Sequence, residues 1–293
     1  MGYGIVSYKY EDIRNFYFEN ELGERIDCQK IDGNLFFYNV AGLGYEEEIE
    51  YVQIGNNFIP NKKRIKQNQI SGDLEFYNMT YDEYCKFVDF ILRATSLKLI
   101  YVPKKTIRTE YYRDIDLFKI DKSEEDEYNV LPCPVMMNCK SLWYEAKEVV
   151  YTIDSVTNEI RWDFQWDSIF TSYDNRNIIF NNKGHDEAPF KLELNGEVVS
   201  PIITILEDDI EVKKLDLTGL TIETGETFIY NTKDTAQEIA KVSDNKITNL
   251  FSFLNPNFIN FYKLRKGAST IRLEADGEIT SGKLTIYVQY KAV

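Results

Sequence analysis

Few residues in this chain are suited to chemistry, and their spacing decides which reactions are open to it. The single histidine, His185, lies in Asn181-Asn182-Lys183-Gly184-His185-Asp186, so a Ser-His-Asp arrangement is possible only around it. The flanking Asn, Lys and Gly have the composition of a loop, and His185 reads as an exposed structural residue. Cysteines 28, 85, 133 and 139 follow no metal-ligand spacing, and one histidine cannot complete a Cys/His set. Reduced thiols and no zinc are expected, with Cys85 as a small apolar residue on a helix. Trp162, Asp163, Trp166 and Asp167 put tryptophans beside carboxylates, as a sugar site would. The same run alternates as a strand does, with Trp162, Phe164 and Trp166 on one face, and an aromatic core strand is the simpler account. Gly42-Leu43-Gly44 lacks the third glycine of a dinucleotide fingerprint and precedes no helical pattern, so it reads as a bend. With 48 acidic residues, chance carboxylate pairs are everywhere and none singles itself out. There is no nucleophile elbow, no Walker loop and no metalloprotease helix. The chain is not expected to be an enzyme or to need a cofactor.

The elements that position these residues centre on 70–144. Ile70 to Tyr77 alternates, with Leu74 and Phe76 on one face. Thr80 and Glu83 have the spacing of a capping box. Tyr84, Phe87, Val88, Ile91 and Leu92 then recur at helical spacing. Ser96 to Val102 returns to a period of two until Pro103. Tyr111-Tyr112-Arg113-Asp114-Ile115 and Ser141-Leu142-Trp143-Tyr144 add aromatics beside paired charges. Upstream, strands are expected near the N-terminus, after Gly23 and over Leu35 to Val40. From about residue 150 the pattern becomes nearly all β. Asn195-Gly196 between apolar pairs predicts a two-residue hairpin turn. Further strands are expected at Ile202 to Leu206, Lys214 to Leu217, Thr227 to Tyr230, Lys246 to Phe253, Thr270 to Glu274 and Lys283 to Tyr290. Short strands broken by Gly, Asn and Pro describe a sandwich or jelly roll.

Composition bounds the rest. The 293 residues allow two domains, placed at 1–148 and 149–293, of mainly β structure with minor α. A net charge of −14 argues against a basic nucleic-acid footprint. No window approaches the ~20 apolar residues of a membrane span, so a soluble chain made in the cytoplasm is expected. Lys62, Lys63, Arg64 and Lys66 form the only basic run. Such a run is commonly a solvated strand edge, and its sharper reading is a docking patch for an acidic neighbour.

Several stretches, in this order, resemble the distal tail protein family of phages infecting Gram-positive bacteria, the siphophage baseplate hub component. They are Gly42-Leu43-Gly44, Gly72 to Phe76, Tyr84 to Leu92 with Leu97 to Tyr101, Tyr111 to Leu117, Leu131 to Val135 and Ser141 to Tyr144. The likeness runs over about residues 20–145 and continues more weakly beyond. It implies an N-terminal domain with one capped helix that forms a hexameric ring at the virion tail tip. It also implies a C-terminal galectin-like β-sandwich. The expected partners are further copies of the chain, the tail tube protein, the tape-measure protein, the tail-associated hub or lysin and a receptor-binding protein. DNA would pass through the ring without specific binding. Candidate interface residues on this reading are Lys62, Lys63, Arg64, Lys66, Tyr111, Tyr112, Arg113, Asp114, Trp143 and Tyr144. A basic run on one copy could meet Asp121 to Glu127 on the next. The alternative is a tail-tip adhesin that binds cell-wall sugar, although the second half lacks a galectin's sugar-binding set.

Overall fold

A computed structural model describes residues 14–29, 34–77, 80–103, 109–152, 177–244, 246–277 and 279–293. The chain divides into two units. The first runs to Glu145 and takes in Tyr290–Val293, and the second is Ala146–Gln289.

In unit 1 the alternation seen in the sequence becomes burial. The strands are β1 (Asn15–Asn20), β2 (Arg25–Asp27), β3 (Leu35–Ala41), β4 (Glu47–Ile54), β5 (Asn57–Ile65), β6 (Gln69–Tyr77), β7 (Leu97–Val102), β8 (Tyr111–Ile120), β9 (Val130–Cys139) and the start of β10 (Trp143–Thr152), which passes into unit 2 after Glu145, with α1 (Thr80–Arg93) between β6 and β7. Ile70, Leu74 and Phe76 of β6 and Leu131, Cys133, Val135 and Met137 of β9 share the buried face. Antiparallel pairing gives the order β2-β1-β7-β8-β9-β6-β3, with β10 beside β8 at Tyr144 and Tyr112. Helix α1 lies over β6 and β9. Its Phe87 ring meets Phe18 at 5.4 Å and Phe76 at 5.8 Å, both edge-on, the geometry that aromatic quadrupoles favour.

Two helix expectations need correction. Phe87 and Ile91 are buried and Tyr84 packs beside them, but Leu92 is 78% exposed. One residue turns the helix by about 100°, which carries Leu92 off the stripe that Tyr84, Phe87, Ile91 and Ala94 complete. The Thr80 and Glu83 side chains also do not cap each other. The Thr80 hydroxyl donates to Glu125 Oε2 at 3.0 Å, and Glu83 accepts from Lys86 at 2.8 Å. Thr80 therefore ties the helix start to the acidic loop.

Gly42 does serve a bend. Its φ is +87°, and a Cβ there would stand 2.0 Å from the Gln69 carbonyl oxygen. Asn68 Nδ2 donates to the carbonyls of Gly42 at 2.6 Å and Gly44 at 2.9 Å, and Trp143 Nε1 donates to that of Leu43 at 2.8 Å. The bend is clamped on three consecutive residues. Gly42→Ala faces a backbone clash as well as the left-handed φ, and should cost about 3 kcal/mol or more. Urea denaturation followed by Trp fluorescence reads this as a lower midpoint.

Unit 2 is two antiparallel sheets. Its strands are β11 (Asn177–Asn182), β12 (Phe190–Gly196), β13 (Val198–Glu207), β14 (Ile210–Asp216), β15 (Thr221–Ile222), β16 (Thr227–Asn231), β17 (Glu238–Ser243), β18 (Lys246–Asn249), β19 (Gly267–Asp276) and β20 (Ile279–Tyr290). One sheet runs β18-β17-β16-β12-β20. The other runs β14-β13-β19-β11, with β15 also on β13. Leu192, Leu194, Phe228, Tyr230, Leu284 and Ile286 are buried on the first, and Ile203, Ile205 and Ile271 on the second. Each sheet thus has one apolar face, the pattern of a sandwich.

The hairpin expected at Asn195-Gly196 is absent. Strand β12 pairs with β16 and β20, whereas β13 belongs to the other sheet. Gly196 has φ +107° and sits at a register shift, so the positive φ turns a corner between sheets. The strand expected over Lys246 to Phe253 stops at Asn249, and Phe251–Phe253 forms a single 3-10 turn. The Trp162 to Trp166 strand lies outside the described residues, as do residues 1–13 at the N-terminus.

Candidate functional site

Strands β4 and β5 pair only with each other, from Glu47 opposite Ile65 to Ile54 opposite Asn57. Gly55, with φ +62°, begins the turn. All nine residues of β5 are exposed, and Tyr51, Val52, Ile54, Phe58 and Ile59 stand in solvent. An isolated two-stranded ribbon is marginal in water. This one also leaves two strand edges and large apolar side chains bare, a combination that recruits another chain.

The basic run lies on this ribbon, and part of it is already neutralised there. Arg64 pairs with Glu48 at 2.8 Å and Lys66 with Glu46 at 2.8 Å. At the ribbon's base Lys291 pairs with Glu47 at 2.9 Å. Among the described residues Lys62 and Lys63 make no ion pair within 4.0 Å, although the Lys63 charge helps Lys291 hold the Glu47 pKa down.

The other candidates sit together on β8 and the start of β10. Trp143, Arg113, Tyr144 and Asp114 are all buried, while Tyr111 and Tyr112 are half-buried. Arg113 Nε donates to the Ser141 carbonyl at 3.0 Å, and its guanidinium lies 5.2 Å from the centre of the Trp143 ring. Burial pulls its pKa below the usual arginine value, against a raising influence of Cys139. The Tyr144 hydroxyl donates to Asp114 Oδ1 at 3.0 Å, and its ring stacks on Tyr112 at 5.7 Å. Charged residues in this setting are packing groups, held by hydrogen bonds and ring faces.

At the edge of that cluster is an ion network. Glu19 accepts from Arg25 at 2.7 Å and from Lys98 at 2.8 Å, and Arg25 also binds Glu110 at 3.0 Å. Tyr112 donates to Glu110 at 2.5 Å, and its pKa rises to about 12 through burial and that bond. Burial alone would raise the Glu19 pKa, but the bonds from Lys98 and Arg25 outweigh it and hold it below 4.5. A carboxylate depressed in the folded state adds stability above its unfolded pKa and loses it as pH falls through the folded value. Glu19→Gln should therefore cost about 1–3 kcal/mol at neutral pH. The deficit should shrink on acidification below the folded pKa. Urea midpoints of the two proteins, followed from neutral pH downward through the acid range, measure the difference.

Among the described residues no catalytic grouping emerges. His185 is exposed in the loop between β11 and β12. Cys28, Cys133 and Cys139 are buried free thiols, and burial pushes the Cys28 pKa well up. Among the described residues no cluster of three His, Cys, Asp or Glu side chains could hold a metal ion. None of the described helices is long and apolar enough to cross a membrane.

Against this geometry, the profile of the distal tail protein N-terminal domain matches residues 15–140. The first unit carries a distal tail protein N-terminal domain. That stretch contains the ribbon, the clamped bend, α1 and the central sheet. Similarity in fold extends beyond the distal tail domain. A chain of the phage P2 baseplate in its activated conformation with calcium is 16% identical, with a TM-score of 0.69 over 96% of this chain and 100% of that one. The same baseplate with strontium gives the same values. The phage SPP1 distal tail protein, described as a paradigm of the hub adsorption apparatus in phages infecting Gram-positive bacteria, is 11% identical. Its TM-score is 0.56 over 93% of this chain and 98% of that one. No curated protein matches the sequence. The ribbon was missed in the sequence because neither face is buried, so its strands carry no contrast of period two. The one local signal was Ile54-Gly55-Asn56-Asn57, a turn between two apolar-rich runs.

Proposed function

We propose that the chain is a structural component of a phage tail tip. It assembles as a hexameric ring joining the tail tube to the hub and its adhesion apparatus. The carrying observation is the bare ribbon on a distal tail domain. A protomer whose strand edges and apolar side chains are open has surface to spend on a neighbour, and a closed ring of identical contacts satisfies every copy. Unit 2 is read as the galectin-like sandwich that projects from the ring. The remaining partners on this reading are the tail tube, tape-measure, hub or lysin and receptor-binding proteins, and the place of action is the virion tail. Absence of a catalytic grouping among the described residues fits a structural role. The net charge of −14 fits a lumen along which DNA slides without sticking. Negative-stain microscopy of the purified chain tests the ring. Class averages with six-fold symmetry and a central opening are expected, and closed rings of another order would overturn the hexamer.

A further inference from the structure

We propose that the end of unit 2 formed by residues 246–262 is a second self-association surface, which takes another copy of this chain across a two-fold axis. Strand β18 ends its sheet, and all four of its residues are exposed. Beyond it Phe251, Phe253, Phe258 and Ile259 are exposed, the last two at 68% and 69%, and Ile247 on β18 is 65% exposed.

These side chains stand on a rigid base. A ladder of rings leads out of the core from Phe190 to Tyr230 at 5.6 Å, to Phe261 at 5.9 Å and to Phe251 at 6.0 Å. The Tyr230 hydroxyl donates to the Asn260 carbonyl at 2.7 Å, and Asn260 Nδ2 donates to the carbonyls of Asn255 at 2.8 Å and Phe258 at 3.0 Å. The backbone that carries these side chains is therefore held to the core, which lowers the ordering cost of an interface.

Charge and area identify the occupant. The seventeen residues 246–262 contain one charged side chain, Lys246, where a composition of 28% charged residues would place about five. Two copies of a −14 chain repel each other over most of their surface. On this neutral stretch they can touch without that repulsion, and it offers nothing to a strongly charged partner. At about 200 Å² per large side chain, the five exposed groups present about 500 Å² of apolar surface. Two copies would bury about 1,000 Å², the lower bound for a specific interface. Antiparallel pairing of β18 with its copy sets Lys246 opposite Asn249 and Ile247 opposite Thr248, so the two lysines lie at opposite ends.

The test is the solution mass of the full chain, with and without Phe258→Glu and Ile259→Glu. It is run on the natural sequence and on a ribbon variant carrying Val52→Glu, Phe58→Ser and Ile59→Lys. Both patch substitutions are at exposed positions, and circular dichroism checks that the fold is kept. The ribbon variant should weigh two chains, near twice 34.4 kDa, and the patch substitutions should halve that mass. In the natural background they should lower the mass as well. A ribbon variant that is already a single chain at the highest attainable concentration would overturn the proposal, as would patch substitutions that leave the mass unchanged in both backgrounds. The ring is read separately, from whether the ribbon variant loses the six-chain mass.

Discussion

Replacing Val52, Phe58 and Ile59 with Glu, Ser and Lys should prevent the proposed hexameric ring while leaving each protomer folded. The two effects separate because the ribbon contributes nothing to the core. All nine residues of β5 are exposed, and the apolar side chains removed are in solvent within the protomer. Val52 and Ile59 are direct cross-strand neighbours, so Glu opposite Lys keeps an attractive pair and preserves the ribbon itself. The protomer's urea midpoint should shift by no more than about 0.5 kcal/mol. The association free energy should fall by several kcal/mol per interface, since truncating central apolar anchors costs about 2 kcal/mol or more each. Sedimentation velocity of the variant reads the loss of the six-chain species. A variant that stays hexameric would mean that the ribbon is not the ring contact.

Trp143→Ala carries the largest expected effect on stability. The indole is fully buried, its N–H holds the Leu43 carbonyl at 2.8 Å, and its face lies against the Arg113 guanidinium at 5.2 Å. Truncation opens a cavity, strips a partner from the clamped bend and removes the ring that shields a buried cation. Phe/Trp→Ala substitutions in cores cost about 3–5 kcal/mol, and the Arg113 side chain places this one at the upper end. Trp143→Phe keeps a ring beneath Arg113 but loses the hydrogen bond and some volume, and should cost about 1–3 kcal/mol. Guanidinium titration of both variants, followed by far-ultraviolet circular dichroism, checks the order. Equal losses would mean that the cavity and the cation contribute little beyond the missing hydrogen bond.

What was legible in the sequence was what burial writes into it. Strand β6 and its partner β9 alternate because one face is covered, and Phe87 and Ile91 recur because α1 lies on them. The clamped bend could be read at Gly42, because few residues tolerate both a positive φ and a 2.0 Å approach. What could not be read depends on partners distant in sequence. Asn195-Gly196 has the local chemistry of a hairpin, yet β12 takes β16 and β20 as neighbours, a choice that no short window contains. Arg113 and Asp114 carry charges that suggest a surface, and only the fold brings Ser141, Trp143 and Tyr144 around them. The ribbon left no burial pattern, although it is the part of unit 1 with the most surface open to another molecule.

The mass of the purified chain by light scattering, over a range of concentrations in low and high salt, tests the central claim most directly. The ring predicts a species near six times 34.4 kDa, about 206 kDa, when Phe258→Glu and Ile259→Glu remove the second contact, and a multiple of it where that contact joins rings in the natural chain. It should persist in high salt, because Arg64 and Lys66 are paired within the ribbon and its exposed contact groups are largely apolar. A mass that stays at 34.4 kDa as concentration rises would contradict the ring.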